Sequence, residues 1–201
     1  MPIGLIQFRH TFAKPNRVSS LQARIVRQEL PIVLQKETIM LGIALLFIGA
    51  VLVVNGVGLT GRIEARENAV FNFLVGSLAL SISFIGLVRS VDNAGYLGVA
   101  AGLLFAFTYL YLAVVQWKGM NGKGLGWYCL FVAINTLPMA WLAVDQDMRS
   151  TMMWLTWGLL WFLFFLALAL QKTIRSLGPI TAVIGIVSCW IPGFLMLAGR
   201  W

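Results

Sequence analysis

From Met40 onward, apolar residues run in blocks of about twenty, broken by short clusters of Gly, Arg, Lys, Asp and Asn, with none of the strict alternation a half-buried strand needs. The blocks span Met40 to Leu59, Ala69 to Val88, Ala94 to Val115, Leu125 to Val144, Thr151 to Leu170 and Gly178 to Ala198. A helix crossing about 30 Å of hydrocarbon needs about 20 such residues. Lipid offers backbone groups no hydrogen-bond partner, which leaves helices or closed barrels as spanning structures, and a barrel would show alternation. The pattern predicts an all-α integral membrane protein with six transmembrane helices.

Composition agrees: 60% of the 201 residues are hydrophobic and 11% charged, against about 25% charged in an ordinary soluble domain. The net charge of +8 does not point to nucleic acid, because the fifteen Lys and Arg residues occupy the loops and the first 39 residues. Such placement sets membrane orientation. With residues 1–39 set aside, Arg89, Arg149 and Arg200 lie on one side, and Arg62, Arg66, Lys118, Lys123, Lys172 and Arg175 on the other. The positive-inside rule puts the loops after helices one, three and five in the cytoplasm and both termini outside.

Residues 1–39 oppose that orientation, since Arg9, Lys14, Arg17, Arg24, Arg27 and Lys36 would add to the translocated side. The segment also lacks a signal-peptide core: Gly4 to Phe8 is too short, and Pro31 interrupts the other apolar stretch. Ser19 to Leu30 could form a basic helix lying on anionic lipid. Charge topology instead favours a natural protein that begins at Met40, the extension reflecting an upstream start choice. Mass spectrometry of the purified amino terminus decides this, and intact residues 1–39 would refute it. The domain expectation is a basic extension, 1–39, and a six-helix membrane domain, 40–201.

No charged residue falls in the apolar stretch of any helix. An ionised side chain at the bilayer centre costs at least about 2.5 kcal/mol and marks ion paths and proton relays where it occurs. Its absence favours passive movement of uncharged solutes. The neutral polar residues inside the helices include Asn55, Asn72, Ser83, Thr108, Tyr109, Asn135, Thr136 and Ser188. Interhelical hydrogen bonding accounts for most of the Ser and Thr. Asn55 and Asn135 are awkward in lipid and are expected to face a protein interior or a watery path.

Three faces stand out. Trp154, Trp157 and Trp161 repeat at i, i+3, i+7, so one side of helix five carries three indoles; Phe107 and Tyr111 form an i, i+4 pair on helix three; Leu41, Leu45 and Leu52 share a side of helix one. By periodicity alone these stripes are ordinary packing. Membrane interfaces usually prefer small residues, however, and a Trp ladder is bulky for that purpose. Along a pore, such faces would make a narrow, flat-walled slot for a planar, neutral, polar solute, whereas an ion would lose its hydration with no compensating charge.

Other chemistry finds little support. Cys129 and Cys189 fall inside helices and read as small core residues; His10 lies outside the membrane block, so no histidine metal cluster and no cofactor is expected. Asp145, Asp147 and Arg149 read as solvated loop charges. The glycine-rich turn from Gly122 to Gly126 has no strand before it to make a phosphate cradle. An intramembrane enzyme lacks a nucleophile and base. A second reading is a non-transporting membrane protein that docks a cytosolic hydrolase, although each basic loop is too short for a standard interface of about 800 Å² per partner.

At MLGIALL and VLVVNG in helix one, NFLVG in helix two, GLLFAFTYLY in helix three, WYCLFVAINTLP in helix four, WLTWGLLW in helix five and WIPGFL in helix six, the sequence resembles the amide/urea channel family. The resemblance covers nearly all of Met40 to Trp201. It implies a twisted six-helix bundle with a pore in each protomer, a homo-hexameric ring, and energy-independent passage of urea or short-chain aliphatic amides across a bacterial inner membrane to a cytosolic amidase or urease. It also implies that the narrow points are lined at Leu41, Leu45, Leu52, Phe107, Tyr111, Trp154, Trp157 and Trp161, the same residues as the stripes. The gastric members carry acid-sensing histidines and carboxylates in outer loops and a glutamate in helix six. Here the outward loop Arg89 to Asn93 is brief, helix six reads VIGIVS, and Ser150 stands where the gastric form has another Trp. An amide-branch member without acid gating is therefore expected. LLFIGAVLVVNG against LFVAINTLPM is a faint internal echo of two three-helix halves.

Overall fold

The computed structural model describes residues 17–201, with side chains from residue 35 onward. Contacts divide the chain into residues 1–37 and 38–201, and the second unit is the one described below. His10 lies outside the described residues, and so do the side chains of the basic stretch Ser19 to Leu30.

Among the described residues, six helices are long and apolar enough to cross a membrane. They are the apolar part, Gln35–Gly58, of α1 (Arg17–Gly58), then α2 (Ala65–Arg89), α3 (Asn93–Lys118), α4 (Lys123–Ala143), α5 (Met148–Leu168) and α6 (Leu177–Leu197). No strand occurs among the described residues. The all-helical membrane fold matches the expectation from the hydropathy blocks. α2 begins at Ala65, four residues before its block, because its first turn carries Arg66 and Glu67, which a count of apolar residues passes over.

Polar residues at the turns fix where helices start and stop. The Asp92 carboxylate accepts the Gly95 N–H at 2.8 Å and opens α3, which closes at Gly119 with φ 64°. Asp147 opens α5 by accepting the backbone N–H groups of Arg149 and Ser150 at 3.1 and 3.2 Å. The Ser150 hydroxyl adds a third bond at 2.7 Å, and together these hold the Asp147 carboxyl below the usual range.

The helices associate as three pairs. α2 packs chiefly on α3 and α4 on α5, while α1 meets α6 through glycines. Gly42, Gly49 and Gly56 recur every seventh residue on α1; a Cβ on Gly49 would stand 2.5 Å from the Trp190 backbone nitrogen, and one on Gly56 would stand 2.6 Å from the Gly178 carbonyl oxygen. On α6 the matching glycines are Gly178, Gly185 and Gly193, met in reverse order, so the pair is antiparallel. Without a side chain at these points the backbones touch, the kind of packing that substitutes for the hydrophobic effect in lipid.

The α6 glycines are spaced seven and then eight residues apart. The surplus residue is taken up by a π-helical turn, Ile186–Trp190, in which the Ile191 N–H reaches back to the Ile186 carbonyl. Pro192 follows at once; its ring lacks an N–H and crowds the carbonyl four residues back, so widening the turn relieves a clash. The insertion keeps Gly193 in register with Gly42.

Candidate functional site

The interior between α1, α3, α4, α5 and α6 is lined by aromatic and aliphatic side chains. α5 presents Trp154, Trp157 and Trp161 along one face, of which Trp157 and Trp161 are buried and Trp154 half-buried. Trp154 and Trp157 meet edge to face, 5.1 Å between centroids at 81°. Phe105 of α3 lies against all three: nearly parallel to Trp154 at 5.9 Å, and edge-on to Trp157 and Trp161, each at 5.3 Å. Tyr109, one turn further, is edge-on to Trp161 at 6.4 Å. Offset and perpendicular arrangements of this kind are the ones favoured by ring quadrupoles.

Both buried indole N–H groups are already used. Trp157 donates to the Ser188 hydroxyl at 3.0 Å and Trp161 to the Thr108 hydroxyl at 3.3 Å. Each hydroxyl in turn donates to the carbonyl four residues back, Ser188 to Ile184 and Thr108 to Leu104, both at 2.7 Å. The π turn in α6 surrounds Ser188. The two rings are therefore locked across helix pairs, with carbon surface left as their free face.

Below Trp161 the side chains leave a cavity of about 30 Å³, bordered among others by Leu52, Asn55, Thr108, Tyr109, Cys129 and Phe164. That is the share of one water molecule in the liquid. The Tyr109 hydroxyl is buried and has no hydrogen-bond partner. At the end where α1 passes into α2, Asn55 and Asn72 hold each other reciprocally: the Asn55 amide donates to Asn72 Oδ1 at 3.0 Å, and the Asn72 amide donates to Asn55 Oδ1 at 2.7 Å. The Asn72 nitrogen also lies within bonding distance of Gln116 Oε1 at 3.2 Å and the Asn68 carbonyl at 3.0 Å, which share its remaining hydrogen. Buried amides are tolerated here because they satisfy one another.

The structure brings together Leu45, Leu52, Tyr111, Trp154, Trp157 and Trp161 in or against one interior cluster. Two expected members stand apart. Leu41 is 48% exposed near the start of the apolar part of α1, and Phe107 is 47% exposed on the outer side of α3. The interior aromatic pair of α3 is thus Phe105 and Tyr109, in place of Phe107 and Tyr111. Tyr111 is half-buried, its hydroxyl against Gly124. The i, i+4 rule fits both pairs; what selects between them is the small-residue side of α3, where Gly102 abuts Ser83 and Val99 abuts Gly86 of α2, which turns Phe107 outward. Asn135 is half-buried and donates to the Phe131 carbonyl of its own helix at 2.8 Å, away from the Asn55 group.

Phe105, Thr108, Tyr109, Ser188, Asn72 and Gln116 are the interior partners that periodicity did not single out. Cys129 and Cys189 are buried and unpaired, and no group of three metal-ligating side chains occurs among the described residues. Asp147, the cap of α5, and Arg149 in its first turn lie 3.8 Å apart, with the Arg149 guanidinium 4.9 Å over the Trp201 ring.

Comparison with known proteins decides the family. The AmiS/UreI family transporter model matches residues 40–200. The chain belongs to the AmiS/UreI family. Among relatives of this family, a protein described as an amidate substrates transporter of Mycolicibacterium smegmatis is 37% identical over 167 residues, covering 80% of this chain and 78% of that protein. The acid-activated urea channel of Helicobacter pylori is 35% identical over 195 residues, covering 81% of this chain and 100% of that protein. The crystal structure of the Helicobacter pylori urea channel superposes with a TM-score of 0.74 at 33% identity, covering 80% of this chain and 99% of that one. A closed-state structure of the same channel gives a TM-score of 0.72 at 32% identity. The six-helix AmiS/UreI fold is thus shared throughout residues 40–200.

Proposed function

We propose that the chain is a passive, energy-independent channel for urea or short-chain aliphatic amides. The observation that carries this reading is the interior column of Phe105, Trp154, Trp157 and Trp161, whose two buried indole donors are satisfied by protein hydroxyls and which contains no ionisable side chain. A planar amide can slide between flat carbon faces and give up its water in stages, regaining hydrogen bonds at Asn55 and Tyr109. An ion entering the same column would lose its hydration against carbon, at a cost of many kcal/mol. Relatives named for amidate transport and for urea conduction support the same solute class.

Because the interior cavity has only about the volume of one water, passage requires side chains around it to swing aside. Phe164 and Leu168, bordering the cavity from the last turns of α5, are the natural candidates. We assign the loops after α1, α3 and α5 to the cytoplasm on their Lys and Arg content, and the protomers to a hexameric ring in a bacterial inner membrane on family resemblance. The solute would feed a cytosolic amidase or urease. Conduction would be independent of pH between 5 and 7: no histidine follows residue 10, and the Asp147 carboxyl, held low chiefly by the Ser150 hydroxyl and by backbone N–H groups, stays ionised throughout.

Proteoliposomes test this. Urea and acetamide should equilibrate far faster than in empty liposomes, without a proton gradient and equally at pH 5 and pH 7. Correctly inserted protein that adds no solute permeability refutes the channel, whereas a steep rise at acid pH refutes only the ungated part.

A further inference from the structure

On the outside of the bundle, α2 and α3 leave a recess of about 240 Å³ between them. Its floor is made by the small, buried residues Ala69 and Ala113. Val70 and Phe73 of α2 face Val114 and Trp117 of α3 across it, each about half exposed. Lys118, in the last turn of α3, closes one end. The two helices run antiparallel, since Gly76 meets Leu110, Gly102 meets Ser83 and Gly86 meets Val99; the first turn of α2 therefore lies beside the last turn of α3. Arg66, in that first turn, precedes Val70 and Phe73 by four and seven residues and shares their side of α2. Arg66 and Lys118 thus stand at the same end of the recess, both exposed, and neither makes an ion pair among the described residues.

Carbon walls that end in two unpaired cations match one ligand chemistry, a hydrocarbon tail that ends in an anion. We propose that the α2–α3 recess binds one anionic phospholipid, with an acyl chain over Ala69 and Ala113 and the phosphate held by Lys118 and Arg66. Trp117 then sits at the level of the headgroup, where tryptophan is enriched in membrane proteins. The Lys and Arg content of the loops puts this end of the bundle on the cytoplasmic side, so the lipid belongs to the inner leaflet. A second copy of this chain is the poorer fit. A helix with its side chains is about 10–12 Å across, too broad for a recess with the volume of about eight liquid waters, whereas an acyl chain enters lengthwise. The inner side of the same seam carries Asn72 and Gln116, in contact at 3.2 Å. A lipid bridging α2 and α3 from outside braces the two helices that hold this amide contact.

The geometry separates the two halves of such a ligand. Arg66 and Lys118 are exposed, so Arg66→Gln and Lys118→Gln remove the charge for the headgroup with little effect on packing. Val114 is 51% exposed on the wall of the recess, so Val114→Trp fills the place of the tail and keeps both charges.

The test is native mass spectrometry of the full chain in nonionic detergent, titrated with phosphatidylglycerol or with phosphatidylcholine of the same chain length. The wild-type protein is expected to retain one phosphatidylglycerol per protomer in clear preference to phosphatidylcholine. Each Gln variant should lower that preference about fivefold, the effect of one surface base on an anionic lipid, and Val114→Trp should weaken both lipids together. Equal binding of the two lipids by the wild-type protein, or an unchanged preference in the Arg66→Gln/Lys118→Gln double variant, means unselective surface lipid and overturns the site. A Val114→Trp protein that binds lipid as before but changes its number of protomers assigns the recess to a second copy and overturns it as well. If Val114→Trp does not fold, the double Gln variant alone decides. None of these outcomes depends on whether urea passes, so the site and the channel reading stand or fall separately.

Discussion

Replacing Ser188 with Ala removes the acceptor for the Trp157 indole N–H and leaves the rest of the column chemically intact. Trp157 is 8% exposed and its N–H donates to Ser188 at 3.0 Å, so no water stands ready to take the place of the hydroxyl. An orphaned buried donor in a soluble protein costs about 1–3 kcal/mol. Interhelical hydrogen bonds in membrane proteins average nearer 0.6 kcal/mol and reach about 1.7 kcal/mol, because the helices find other partners when apart. The tightness of the site favours the upper part of the membrane range, about 1–1.5 kcal/mol, or roughly a tenfold change in the folding equilibrium. The comparison is Thr108→Val, which removes the longer 3.3 Å bond to Trp161 and should cost less. Reversible unfolding in mixed micelles, followed by tryptophan emission, measures both. Ser188→Ala should lower stability more than Thr108→Val and shift the native emission, since the indole nearest the π turn loses its polar neighbour. Equal, negligible losses with unchanged emission would refute the idea that these hydroxyls lock the rings.

Other consequences follow from the same packing. Gly49→Ala would put a Cβ 2.5 Å from the Trp190 backbone nitrogen; a clash with backbone on both sides should cost about 1–3 kcal/mol, seen as reduced thermal stability of the purified protein. Phe105→Ala should alter urea flux or selectivity in liposomes while Phe107→Ala leaves both at wild-type values, and the reverse ranking would restore the Phe107 face to the path. Asp147→Ala removes a cap at the start of α5, about 0.5 kcal/mol at this exposed site. The folded carboxyl titrates below its unfolded value, so the cap is fully formed above the unfolded pKa of about 3.9 and is lost as the pH falls through the lower folded value; unfolding measured at pH 5 and pH 7 should show the same loss.

The helices were legible because membrane spanning imposes length and apolarity, and nothing else in this chain competes with that signal. The Trp stripe of α5 was legible for a similar reason: three residues of one bulky type at helical spacing define a face without ambiguity. The α3 face was not, because Phe105, Phe107, Tyr109 and Tyr111 alternate and two i, i+4 pairs fit equally well. Only the contact of Gly102 with Ser83 and of Val99 with Gly86 decides which one turns inward, and that requires knowing that α2 is the neighbour. Asn55 and Asn135 drew the same inference from composition, yet Asn55 joins an interhelical network while Asn135 bonds the Phe131 carbonyl. Any helical Asn can make that local bond, so polarity alone cannot tell the two cases apart. The π turn left a trace that periodicity ignores, the eight-residue step from Gly185 to Gly193 just ahead of Pro192.

The tying of both buried indoles to Ser188 and Thr108 has a consequence for the energised membrane in which such a protein would work. Protons cross barriers by hopping along unbroken chains of groups that can both give and receive a hydrogen. Each hydroxyl here already gives its hydrogen to a backbone carbonyl and receives one from an indole, and an indole ring has no site at which to receive one in return. The hand-off ends at each Trp, so neither of these two indoles can serve as a link in a proton relay across the bilayer.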